Sequence, residues 1–172
     1  QMKQYDQANG VRILDYLDLH YYPQSGGVAL TGAGGQATQD LRLRATRSLW
    51  DSTYTDESWI ADEIRMIPRM HDWVNTYYPG TKLAMTEYNF GGLEHINGAL
   101  TQADVLGIFG REGLDLATLW SPPDATEPGA FAFRMYRNYD GADHAFGETS
   151  VRAASADQDR LAIYAAKRGA DN

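Results

Sequence analysis

The sequence predicts an α/β fold, the closing part of an eight-fold strand–helix barrel that runs into the start of a β-rich module. Three observations lead there. Apolar runs of strand length alternate three times with helical stripes, an order that demands right-handed crossovers and a parallel sheet covered by helices. Each run ends in a polar or aromatic cluster. Three parallel strands alone would carry unpaired edges, and a complete barrel takes about 250 residues, more than the 172 present.

The first strand is read from Arg12 to Tyr22, where Ile13, Leu14, Leu17 and Leu19 form a mostly apolar run that Pro23 stops. Residues 24–37 contain five glycines and read as a long loop, without the spacing or the lysine of a phosphate-binding loop. A helical stripe comes next through Ile60, Ile64, Ile67, Val74 and Tyr77, with Asp56 as its cap. Pro68 either bends that helix or starts a new one. Lys82 to Thr86 is a second strand, with Leu83 and Met85 opposite Ala84 and Thr86. Ile96 to Arg111 is a helix whose apolar face is read as Ile96, Leu100, Ala103, Leu106 and Phe109, ended by Gly113. Leu114 to Trp120 is the third strand and Phe131 to Tyr139 the third helix. Thr149 to Ser155 and Arg160 to Lys167 are strand-like, joined by a turn at Asp157, Gln158 and Asp159.

Composition narrows the function. Fifteen Lys and Arg against 23 Asp and Glu give a formal charge of −8, which argues against a nucleic-acid partner held by phosphate contacts. The absence of Cys removes disulfides, thiolate nucleophiles and thiolate metal sites. No apolar run approaches the roughly 20 residues that span a bilayer, so no membrane partner is expected. His20, His71, His95 and His144 lack metal-ligand spacing, and Asp51, Asp56 and Glu57 read as a solvated loop and helix cap. No Gly-x-Ser-x-Gly elbow occurs.

The three strand ends are His20-Tyr21-Tyr22-Pro23, Thr86-Glu87-Tyr88-Asn89-Phe90 and Thr118-Leu119-Trp120-Ser121-Pro122. Barrels place their active sites at that end of the strands. Glu87 comes directly after a buried apolar strand, where a carboxylate is costly unless it is paired or hydrogen-bonded. His20 and Tyr22 are two apart and share a strand face, and a Tyr hydroxyl donating to a carboxylate favours its ionised form. Trp120, stiffened by Pro122-Pro123, suits a stacking platform for a sugar ring, as do Trp50 and Trp59 in polar loop sequence. Trp73, inside the helical stripe, is assigned to packing. A noncatalytic carbohydrate-binding module that uses these aromatic rings is the alternative to an enzyme.

Long stretches also resemble one family. Leu14 to Pro23 (LDYLDLHYYP), Tyr77 to Asn89 (YYPGTKLAMTEYN) and Ala103 to Asp115 (ADVLGIFGREGLD) resemble glycoside hydrolase family 44, the endo-β-1,4-glucanases and xyloglucanases. The resemblance implies a (β/α)₈ TIM barrel joined to a β-sandwich. Residues 1–145 would be the C-terminal part of the catalytic barrel, with strands six to eight, and 146–172 the first strands of the sandwich. It implies a retaining enzyme that cleaves β-1,4-glucans such as cellulose-type glucan or xyloglucan, or else xylan, with Glu87 as nucleophile. Trp120, Trp59, Trp50, His20, Tyr22, Tyr88 and Asn89 are then expected to bind the glucan. The family carries its acid/base glutamate in an Asn-Glu-Pro context, and no Asn-Glu pair occurs here. That residue is therefore expected from the N-terminal half of the same enzyme or from a companion chain, and these 172 residues alone are expected to be inactive. The resemblance calls for no cofactor, leaves room for a structural calcium that no motif marks, and implies secretion although the chain shows no signal peptide.

Overall fold

In the computed structural model, which describes residues 1–157 and 160–169, the elements run α1 (Met2–Asn9), β1 (Tyr16–Tyr21), α2 (Gln36–Ala45), α3 (Met66–Tyr77), β2 (Lys82–Tyr88), α4 (Ile96–Glu112), β3 (Leu116–Leu119), α5 (Pro128–Arg137), β4 (Thr149–Val151) and β5 (Ala165–Lys167). A short 3₁₀ turn, Thr46–Leu49, comes after α2. The three long strands form one parallel sheet in the order β1-β2-β3. β4 and β5 form a separate antiparallel pair. The expected turn residues Gln158 and Asp159 lie outside the described residues.

The core lies on one side of the sheet. Leu83, Met85 and Tyr88 of β2 meet Ile67, Met70 and Val74 of α3 and Val105, Ile108 and Phe109 of α4, with Leu49 between them. Each such side chain contributes about 1.5–3 kcal/mol when fully buried. On β1, Leu17, Leu19 and Tyr21 turn toward this core, while Tyr16, Asp18 and His20 alternate onto a face that stays exposed. β3 is exposed along nearly its whole length. The helices therefore cover one face of the sheet and leave the other open, with β1 and β3 as its edges.

Several expectations are corrected here. Two helices replace expected loop or unassigned sequence. α1 buries none of its side chains and α2 is anchored by an arginine, so neither shows an apolar stripe. The expected apolar face of α4 holds in its second half, where Phe109 is buried and Leu106 packs on the core, but not in its first, where Ile96 and Leu100 are exposed and Thr101, Gln102, Val105 and Ile108 are inward instead. The inward polar groups are satisfied, Gln102 donating to the Tyr88 hydroxyl at 2.8 Å and the Thr101 hydroxyl to the Asn97 carbonyl at 2.9 Å. Pro68 sits in the first turn of α3, where it removes no helical hydrogen bond. Ile60 and Ile64 precede that helix, and Tyr77 is exposed.

Asp56 is neither solvated nor a cap. It is buried and accepts from the Ser48 hydroxyl at 2.8 Å and from the Ser58 backbone at 3.0 Å. Asp51 is buried too, taking two bonds from Thr53 and the Arg47 guanidinium at 2.8 Å. Only Glu57 stays exposed, paired with Arg44 at 2.9 Å. Burial alone would raise the Asp51 carboxyl, but the Thr53 bonds and Arg47 outweigh it and hold the group below the usual carboxylate range. A depressed folded value gives stability that is present above the unfolded value, about 3.9, and is lost as pH falls through the folded one. Thermal unfolding monitored from pH 6 to pH 2 is expected to show a falling midpoint below about pH 4, with a shallower fall in Asp51→Asn. Identical slopes in the two proteins would remove Asp51 from the acid response.

The antiparallel pair is held to α4 through Tyr164. Its hydroxyl donates to Asp104 at 2.7 Å, its ring faces the Arg111 guanidinium, and a Cβ at Gly107 would collide with that ring.

Candidate active site

The phase of β2 decides what reaches the open face. Leu83 and Met85 point to the helices, so strict alternation would bury Glu87 beside them. Three steps along β2, from Ala84 to Glu87, instead face two along β1, from Asp18 to His20. The same shift occurs against β3 between Met85 and Tyr88. Thr86 is the extra residue, a bulge that re-aims the strand end beyond it. Glu87 turns to the open face and Tyr88 drops into the core.

On that face the side chains of β1 and β2 interlock. The Tyr22 hydroxyl donates to Glu87 Oε2 at 2.9 Å, and His20 Nδ1 lies 3.3 Å from the same oxygen. Glu87 is 32% exposed and His20 50%, so the carboxylate is hydrogen-bonded and still reachable. Burial, together with the bond and charge of Glu87, pushes the Tyr22 hydroxyl up to about 12, so it retains its proton and acts as a donor. Asp18 accepts from the Thr86 hydroxyl at 2.5 Å and from the Thr86 backbone at 3.0 Å. His20 Nε2 lies 3.3 Å from that hydroxyl oxygen, and the Thr118 hydroxyl of β3 donates to the Thr86 carbonyl.

The rim beside this group is built by Asn89 and Arg42. Asn89 is buried and donates to the Trp120 carbonyl at 2.5 Å, while its own side-chain oxygen accepts from the Gly91 backbone. Trp120, half exposed, donates its backbone N–H to the Tyr88 carbonyl at 3.0 Å. Arg42 of α2, fully buried, donates to the carbonyls of Phe90, Ala33 and Gly32 and to Asn97 Oδ1, all within 2.9 Å. It ties the loop after β1 to the loop after β2. Gly91 meets that crossing with φ 77°, and a Cβ there would collide with the Val28 carbonyl.

Of the expected site residues, the structure brings Glu87, His20 and Tyr22 together and sets Trp120 on the adjoining rim. Trp59, 81% exposed, stands on the loop before α3. Three others are corrected. Tyr88 is a core residue, edge-on to Phe109, because the bulge that exposes Glu87 buries its neighbour. Asn89 is buried and shapes the rim from behind Trp120. Trp50 packs on the core and stacks under Arg111 in the last turn of α4, the end that leads into the amino end of β3 and so lies opposite the rim. Sequence reasoning misses Asp18 and Thr86, although Asp18 shares the two-residue spacing that links His20 with Tyr22. Among the described residues no group of three or more His, Asp or Glu could hold a metal.

This parallel α/β segment presents a hydrogen-bonded carboxylate, Glu87, and a half-exposed tryptophan, Trp120, at the carboxyl end of its strands. The glycoside hydrolase family 44 model matches residues 1–25. Endoglucanase A of Paenibacillus lautus is 42% identical over 180 residues, covering 100% of this chain and 26% of that protein. The solved structure of CelM2, a bifunctional glucanase-xylanase from a metagenome library, is 52% identical with a TM-score of 0.95, covering 99% of this chain and 32% of that one. A Paenibacillus polymyxa xyloglucanase of family 44 is 39% identical with a TM-score of 0.90, covering 99% and 35%. The chain belongs to glycoside hydrolase family 44, and it spans about a quarter to a third of the length of these relatives.

Proposed function

We propose that these residues form the nucleophile side of a retaining endo-β-1,4-glucanase acting on cellulose-type glucan, xyloglucan or xylan, with Glu87 as the attacking group. The observation that carries this reading is the position of Glu87 on the open sheet face, accepting from Tyr22 at 2.9 Å and facing His20 at 3.3 Å. An attacking carboxylate must be reachable and held in place, and Glu87 is 32% exposed with Oε2 bonded by Tyr22. β1, β2 and β3 are read as strands six to eight of a (β/α)₈ barrel whose remaining strands would cover the open face, residues 1–145 as barrel, and 146–172 as the start of a β-sandwich.

A retaining enzyme places a second carboxyl about 5 to 5.5 Å from the nucleophile. That acid/base group comes from outside these residues, so the N-terminal part of the enzyme is the partner this chain requires. Trp120 and Trp59 stack on the sugar faces of the glucan. Secretion fits a polymer that cannot enter the cell, and among the described residues no helix is long and apolar enough to cross a membrane.

The test is chemical trapping. From a 2-deoxy-2-fluoro cellobioside the dinitrophenolate leaving group departs without protonation, so the fluorosugar is transferred to the nucleophile even where the acid is weak. Mass spectrometry of the assembled enzyme's peptides is expected to find the sugar ester on Glu87. A label on another carboxylate would overturn the assignment.

A further inference from the structure

We propose that Asp18 and Thr86 are positioning residues that fix the proton on His20 Nε2, so that the other ring nitrogen shares a single proton with Glu87. The inference rests on Glu87 being the nucleophile and adds how its charge is set.

The distances determine the proton count. The Thr86 hydroxyl has one hydrogen and two partners, Asp18 Oδ2 at 2.5 Å and His20 Nε2 at 3.3 Å. An ionised carboxylate only accepts, and it is the nearer partner by 0.8 Å. The hydroxyl therefore donates to Asp18, and a second bond from the Thr86 backbone to Asp18 at 3.0 Å holds the arrangement. What remains on the Thr86 oxygen is a lone pair, so His20 Nε2 must carry a hydrogen toward it.

The other end is then determined. Nδ1 faces Glu87 Oε2 at 3.3 Å, and that oxygen already accepts from Tyr22. A neutral ring with its hydrogen on Nε2 would turn a lone pair toward a carboxylate. One further proton between Nδ1 and Oε2 removes the conflict, as imidazolium and carboxylate in the attacking form. Among the described residues, the titratable groups of this cluster are Glu87 from β2 and Asp18 and Tyr22 from the segment of His20, and β3 joins it through Thr118 on the Thr86 carbonyl. Asp18 acts through Thr86 and His20, and none of the three attacks the sugar.

The experiment is ¹⁵N NMR of histidine-labelled enzyme containing this chain, with His20 assigned by His20→Gln. In the unaltered protein His20 is expected to carry a hydrogen on Nε2 and to share one between Nδ1 and Glu87. In Glu87→Gln it becomes neutral with its hydrogen kept on Nε2. In Thr86→Val the neutral ring shifts its hydrogen toward Nδ1. A neutral His20 with its hydrogen on Nδ1 in the unaltered protein, or a ring indifferent to Thr86→Val, overturns the proposal. Retained turnover in Glu87→Gln sinks the nucleophile reading by a different measurement.

Discussion

Glu87→Gln is expected to lower hydrolysis of a soluble β-1,4-glucan by roughly 10³-fold or more, the scale on which removal of an attacking group falls. The amide keeps the volume of the carboxylate and can still accept from Tyr22, so the substitution removes nucleophilicity with little else. Glu87 is partly exposed and its pair with His20 is a rim interaction, so its stability cost is within about 1 kcal/mol. The informative comparison is therefore loss of kcat at an almost unchanged melting temperature and glucan affinity. Were the chain a noncatalytic binder built on Trp120 and Trp59, affinity electrophoresis would show the same retention in wild type and variant with no turnover in either. An enzyme that still turns over in Glu87→Gln has its nucleophile elsewhere.

Arg42→Met is expected to be the most damaging substitution for the fold, costing about 3 to 5 kcal/mol. The side chain is fully buried, and its guanidinium holds three backbone carbonyls and Asn97. Burial pulls its pKa down and Glu94 opposes that pull, yet an arginine stays charged throughout. Methionine fills the volume and leaves those acceptors without donors. In a protein of this size the loss corresponds to a melting-point drop of roughly 10 °C. Arg42→Lys is expected to rescue only part of it, since one ammonium cannot span four acceptors that a planar fork reaches. Equal melting of wild type and Arg42→Met would show that the two rim loops are held by something else.

How much of the molecule is legible in its sequence depends on which physical signals are local. β1, β2 and α4 announce themselves by apolar period and by Pro23 and Gly113 at their ends. Strand alternation pairs His20 with Tyr22. α2 leaves no such trace, because its inward anchor is Arg42, whose burial depends on carbonyls up to 48 residues away. The face of α4 is hidden for a related reason, since Thr101 and Gln102 look polar until the Asn97 carbonyl and Tyr88 supply their partners. The bulge at Thr86 is the sharpest case. Nothing in Lys82 to Tyr88 signals an extra residue, yet that residue decides whether Glu87 or Tyr88 meets the open face of the sheet. Asp18 is within reach, one more alternation back from His20, but its role emerges only once Thr86 is set across from it.

Gly107 and Tyr164 together make a lock whose keyhole is the missing side chain. Because the ring fills the space that any β-carbon would need, the terminal strand pair is welded to the helical layer instead of swivelling on a tether. Grafting residues 146–169 onto another protein would then require transplanting the α4 surface with them, and a chimaera carrying Gly107→Ala would lose the joint before it lost either part.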